Sequence, residues 1–123
     1  MRIFCSSDET AKWLRDRVER EPLVGVPALF DLEVLQGVRR LEARNLIGET
    51  VVRHALASLV ALRATRHDHR PFRSRIWSLR HNLTAYDAVY VALAEILDAP
   101  LLTIDGRLAR SSGHQATIEA PPA

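Results

Sequence analysis

Asn82-Leu83-Thr84-Ala85-Tyr86-Asp87-Ala88-Val89-Tyr90-Val91-Ala92-Leu93-Ala94-Glu95-Ile96-Leu97, followed by Asp98-Ala99-Pro100 and then Leu101-Leu102-Thr103-Ile104-Asp105-Gly106, is the stretch that decides the fold. Asn82-Leu83-Thr84 interrupts the preceding pattern and caps a helix predicted over Ala85 to Leu97, whose apolar positions include Val89, Val91, Ala92, Leu93 and Ile96. Pro100 separates that helix from Leu101 to Ile104, a strand-like apolar run closed by Asp105-Gly106, a common turn pair. A short helix over Arg107 to Arg110 is predicted next. Ser111-Ser112-Gly113 reads as a loop, and Thr117-Ile118-Glu119 as a last edge strand.

Upstream, Ala11, Leu14 and Val18 recur at helical spacing between Asp8 and Arg20, and Pro22 ends that helix. Leu23 to Val26 is a short apolar run closed by Pro27, consistent with a buried strand. Leu32, Leu35, Val38 and Leu41 predict a helix from Leu29 to Arg44, and a further helical stretch runs from Gly48 to about Arg63. The segment Ala64 to His69 suits a brief strand, and Pro71 suits the first turn of a helix carrying Phe72, Ile76, Trp77 and Leu79. Strands alternating with helices imply an α/β sandwich with a mainly parallel central sheet.

The 123 residues fit one domain, and a chain of this size buries roughly two thirds of its unfolded surface without covalent staples. Apolar residues at 47% and charged residues at 26% give a globular balance. Cys5 is the single cysteine, so no internal disulfide forms, and a reducing compartment, the cytoplasm, is expected. No apolar run approaches the roughly 18 residues that a membrane span requires, and the start is too short for a signal-peptide core, so no membrane association is expected. Seventeen basic residues oppose fifteen acidic ones, and Lys12 is the only lysine. Arginine forks suit phosphate oxygens, although arginine-rich coding in GC-rich DNA accounts equally well for this bias.

Three carboxylates fall where an open parallel sheet gathers its chemistry, at strand carboxyl ends and at the amino ends of the helices that follow. Glu33 lies in the first turns of the helix after Val26, Asp87 in the first turn of the helix after Thr84, and Asp105 directly after an apolar strand. Clustered carboxylates repel one another, and a hard divalent cation, Mg²⁺ or Mn²⁺, is the natural counter-charge. Metal-assisted phosphodiester hydrolysis follows as the expected chemistry.

Each residue also has a local explanation. Thr84-x-x-Asp87 matches a capping box, with Asp87 offsetting the helix dipole, Asp105-Gly106 is a turn, and Glu33 alone is a solvated helix charge. Asp31, nearly opposite Glu33 at about 100° per residue, reads as solvated as well. His67-x-His69 and His81 lack a partner cluster at zinc-finger spacing. No phosphate-loop or dinucleotide glycine pattern is present. Ser6-Ser7 suits a helix cap, with no histidine motif to make it a nucleophile.

The run Asn82 to Glu95, together with Ala99-Pro100-Leu101-Leu102-Thr103-Ile104-Asp105-Gly106-Arg107-Leu108-Ala109, resembles the carboxyl half of VapC-type PIN domains, ribonuclease toxins of type II toxin–antitoxin systems. Val26 to Leu41 is similar to the family's second acidic segment, and Ile76-Trp77-Ser78-Leu79-Arg80 fits the spacing between the two. The resemblance spans roughly Leu23 to Ala109. It implies a three-layer α/β/α PIN-like fold over a single domain, residues 1–123, with an atypical segment at 1–10 and a tail at 120–123. It further implies Mg²⁺ or Mn²⁺, an RNA substrate, a VapB-like antitoxin and a homodimer. The metal ligands it implies are Glu33, Asp87 and Asp105, with Thr84 as the hydroxyl residue beside them. Tyr86 and Tyr90 read as packing residues, and Arg39, Arg40, Arg80 and Arg107 as contacts to RNA phosphate or antitoxin, or as surface charge.

The departure is at the amino terminus, where Cys5 stands in place of the family's first acid and a thiolate is a poor ligand for Mg²⁺. Asp8 would substitute only with a rearranged strand end. A VapC-like ribonuclease weakened by this change is the leading reading. A catalytically degenerate PIN protein that binds antitoxin or RNA without cleavage is the alternative. A phospho-receiver domain is disfavoured because it needs a late lysine and Lys12 is at the wrong end.

Overall fold

The computed structural model describes residues 8–122. The element order is α1 (Asp8–Glu19), β1 (Gly25–Pro27), α2 (Phe30–Ala43), α3 (Glu49–Ala61), β2 (Thr65–His67), a 3-10 turn (Arg70–Phe72), α4 (Arg73–Ser78), α5 (Ala85–Leu97), β3 (Leu101–Leu102), α6 (Gly106–Ala109) and β4 (Ile118–Glu119). Strands and helices alternate as the sequence predicts. Cys5 and Ser6-Ser7 lie outside the described residues, as does the side chain of Asp8, whose backbone opens α1.

Both strand pairings are parallel. Gly25, Val26 and Pro27 face Thr65, Arg66 and His67, while Leu101 and Leu102 face Ile118 and Glu119. Among the described residues the strands form two separate pairs, β1-β2 and β3-β4, where one central sheet is expected. The strands are short: the β1-β2 bonds run from the Val24 carbonyl, which accepts from the Thr65 N–H at 2.9 Å, to the Ala28 N–H, which donates to the His67 carbonyl at 2.9 Å, and the chain after Leu102 turns toward the Asp105 cap. Helix α5 links the pairs by packing on both β1 and β3.

That role follows from the composition of α5. Ala88 through Ala94 are all buried, so the helix is apolar on every side along two turns, as a helix enclosed by neighbours must be. Burying each Val or Leu of this run contributes about 1.5–3 kcal/mol relative to exposure. At its carboxyl end Asp98 adopts a left-handed conformation, φ 48°, and its N–H reaches Ala94 and Glu95 carbonyls before Pro100 prevents continuation. Strand β1 approaches α5 closely. A Cβ on Gly25 would sit 2.9 Å from Leu97 Cδ1 and 3.2 Å from His67 Nε2, which explains a glycine at the centre of the contact.

The α2–α3 hairpin is built differently. Only Phe30 and Gly37 of α2 are buried and no residue of α3 is, so Leu32, Leu35, Val51, Leu56 and Val60 remain exposed despite their helical periodicity. The hairpin packs chiefly on itself. Trp77, expected on the apolar stripe of α4, is 68% exposed. The remaining core joins Leu14 of α1, Val26, Phe30, Leu79, Leu101 and Leu108 to the α5 face.

Candidate active site

The amino end of α5 is fixed by its cap. Thr84 is extended, φ −66° and ψ 160°, and its Oγ1 accepts a hydrogen bond from the Asp87 N–H at 3.2 Å. This satisfies one of the donors a helix start leaves orphaned and holds Asp87 in the first turn, where the helix dipole favours negative charge. The capping reading of Thr84 and Asp87 therefore describes their local geometry. It is compatible with a second role for the carboxylate, which is half-buried with Oδ1 shielded from solvent.

Tyr90 lies three residues beyond Asp87 and so shares its side of α5. Its ring is buried and its hydroxyl donates a 2.5 Å hydrogen bond to Glu33 Oε1. Glu33 is thereby drawn from the first turns of α2 onto α5. The packing role expected for Tyr90 holds for its ring but omits this bond. Tyr86, also expected to pack, is 61% exposed.

Asp105 is placed by the other strand pair. Its backbone N–H donates to Thr103 Oγ1 at 3.0 Å, with Thr103 fully buried, and its own Oδ1 accepts from the Arg107 N–H at 2.9 Å as the cap of α6. Thus Glu33 and Asp105 each have one carboxylate oxygen directed at a protein donor. Among the described residues no three His, Cys, Asp or Glu side chains stand together as a metal-holding group. The donor chemistry is nonetheless that of a hard cation, since all three acids offer only oxygen.

Asp31 is the correction on α2. Its two oxygens accept from Arg66 of β2 at 2.8 and 3.0 Å, so it is paired rather than simply solvated, and the Arg66 hydrogen bonds lower its carboxyl below the ordinary range. The geometry separates the two acids of α2, with Glu33 turned to α5 and Asp31 to β2. The basic candidates Arg39, Arg40, Arg80 and Arg107 are all exposed. Tyr90, with its hydroxyl on Glu33, is the residue whose polar contact residue-by-residue reading missed. The signal for it was its i+3 spacing from Asp87 in an otherwise apolar helix.

Residues 1–113 match the family model described as PIN domain. The chain is also 42% identical over 100 residues to "Ribonuclease VapC12" of Mycobacterium tuberculosis, covering 81% of this chain and 78% of that one. It is 45% identical over 101 residues to "Ribonuclease VapC1" of the same species, covering 81% and 76%. The chain belongs to the VapC-type PIN-domain family. The α/β fold of this PIN domain accordingly agrees with the resemblance carried by Asn82 to Ala109. A third relative, "Ribonuclease VapC3" of M. tuberculosis, is 40% identical over 109 residues, covering 89% of this chain and 79% of that one. The span matched by the PIN model contains Glu33, Asp87 and Asp105. Among the described residues no helix is long and apolar enough to cross a membrane.

Proposed function

We propose that this PIN domain is a VapC-like toxin, an endoribonuclease that cleaves RNA phosphodiester bonds with the help of Mg²⁺ or Mn²⁺. The observation that carries this reading is the 40–45% identity, across about four fifths or more of the chain, to relatives named ribonucleases. Glu33, Asp87 and Asp105 would hold the ion, with Thr84 beside them. When bound, a divalent cation supplies charge stabilisation at the phosphate and a water acidic enough to act as nucleophile. The chain's own residues supply the rest. Thr84 holds the backbone that presents Asp87, Tyr90 orients Glu33, and the buried Thr103 hydroxyl braces the backbone of Asp105. A VapB-like antitoxin, assembly as a homodimer and a cytoplasmic location complete the proposal and rest on family membership.

A second reading, a PIN protein that binds antitoxin or RNA without cutting, is favoured by Cys5 in place of the family's first acid and by the protein donors already engaging Glu33 and Asp105. The two readings separate in one experiment. Purified wild type, Asp87→Asn and Cys5→Asp are compared for RNA cleavage with added Mn²⁺ and for Mn²⁺ binding by calorimetry. Cleavage by wild type that is abolished in Asp87→Asn supports the nuclease. Cleavage unchanged in Asp87→Asn removes Asp87 from the site. Cleavage and metal binding by Cys5→Asp alone identify a scaffold disabled at its first ligand.

A further inference from the structure

Beside the capped start of α5, α4 and the loop before it form an open groove of about 580 Å³, within the range of about 300–1,000 Å³ typical of small-ligand sites. Its floor is aliphatic. Its edge carries His69, Arg73, Trp77, Arg80, Thr84 and Tyr86, and among the described residues lining it there is no Asp or Glu. In a chain with fifteen acidic residues, a groove lined by two arginines, a histidine and two exposed aromatic rings is complementary to a ligand with a flat apolar face and negative charge.

Two details sharpen the match. The Arg80 guanidinium carbon lies 4.5 Å from the Trp77 ring centroid, and Arg80 Nη1 donates to the Trp77 carbonyl at 3.0 Å. One indole face is thus backed by a cation while the side chain as a whole stays 68% exposed. The groove is also continuous with the acidic site through Thr84, whose hydroxyl caps the turn holding Asp87.

We propose that this groove is a base-stacking subsite for an unpaired nucleotide of the RNA strand, with the base on Trp77 and the adjoining phosphates on Arg73 and Arg80. The inference rests on the ribonuclease reading and adds to it the seat of one base, since an unstacked base presents its face to an indole. The subsite positions the strand and contributes no reacting group.

The test is fluorescence anisotropy of a labelled single-stranded oligoribonucleotide of about ten nucleotides, titrated with the full chain in EDTA so that binding is read without cleavage. The proteins are wild type, Trp77→Ala, Trp77→Phe, Arg80→Ala and, as a charge control outside the groove, Arg53→Ala of α3. Expected is a loss of about tenfold or more for Trp77→Ala, partial retention in Trp77→Phe, and a larger loss for Arg80→Ala than for Arg53→Ala. Equal RNA affinity in wild type and Trp77→Ala overturns the proposal. So does a change confined to self-association in sedimentation velocity, which makes the groove a protein contact. If Trp77→Ala does not fold by circular dichroism, a Trp13→Phe chain leaves Trp77 as the single tryptophan; its emission should be quenched by the same RNA, and unchanged emission overturns the proposal. A parallel Mn²⁺ cleavage assay keeps the two readings apart. RNA binding that depends on Trp77 without any wild-type cleavage supports the groove and removes the nuclease, whereas cleavage with Trp77-independent binding does the reverse.

Discussion

The Tyr90 hydroxyl donates to Glu33 across 57 positions of sequence, at 2.5 Å, and so joins α5 to the acidic start of α2. The bond fixes the direction of one Glu33 oxygen from a ring that is itself locked in the core. Its removal therefore tests orientation with little change in packing.

Tyr90→Phe is expected to cost about 1 kcal/mol of stability in a urea titration. Mn²⁺ affinity by calorimetry should fall about tenfold, the scale on which supporting hydrogen bonds act on metal ligands. Unchanged metal affinity with lowered stability would show that the bond serves the fold alone.

Thr84→Ala removes the acceptor for the Asp87 N–H, and a loss of about 1 kcal/mol is expected, with Thr84→Ser restoring most of it. Thermal unfolding of the three proteins checks this. A fall in cleavage that Ser rescues along with stability would place Thr84 in a positioning role.

Glu95 links three parts of the chain. Its oxygens accept from Arg75 of α4, both at 2.8 Å, and Oε2 also accepts from the Gln115 N–H at 2.8 Å, with His114 nearby. The Arg75 hydrogen bonds, aided by the Gln115 N–H and the charges of Arg75 and His114, outweigh burial and lower the Glu95 carboxyl from its ordinary range. Because the folded value lies below the unfolded one, the unfolded state binds more protons between the two. The stabilisation is then complete above the unfolded value of about 4.3 and is lost as pH falls through the folded value. Glu95→Gln should cost about 1 kcal/mol at neutral pH, discounted for the partly exposed Arg75, and should flatten the acid limb of the stability curve. An acid limb identical to wild type would assign that pH dependence to other groups.

Gly113 has φ +87°, and a Cβ there would fall 2.0 Å from Asn82 Nδ2, the donor to the Ser112 carbonyl at 3.0 Å. Gly113→Ala should destabilise by about 1–3 kcal/mol. The same change in an Asn82→Ala background should cost less, since the clash is removed and the backbone strain stays. Equal costs in the two backgrounds would show that strain dominates.

Several parts of the fold were legible because their signals are local. The bounds of α5, Ala85–Leu97, follow from a threonine cap, an uninterrupted apolar run, and the Asp98 and Pro100 that stop it. The short strands at Gly25–Pro27 and Leu101–Leu102 are marked by apolar runs broken by proline or by the Asp105 turn. The resemblance across Leu23 to Ala109 likewise depends on side chains close together in sequence, and the PIN match bears it out. The sequence by itself thus determined the order of elements, the family and the acids worth weighing. Only tertiary structure decided that Asp31 pairs with Arg66 while Glu33 turns to Tyr90, and that Trp77 stands out from α4 beside Arg80. The periodicity of a helix tells which side chains share a face. What that face meets depends on elements dozens of residues away, whose packing no local spacing records.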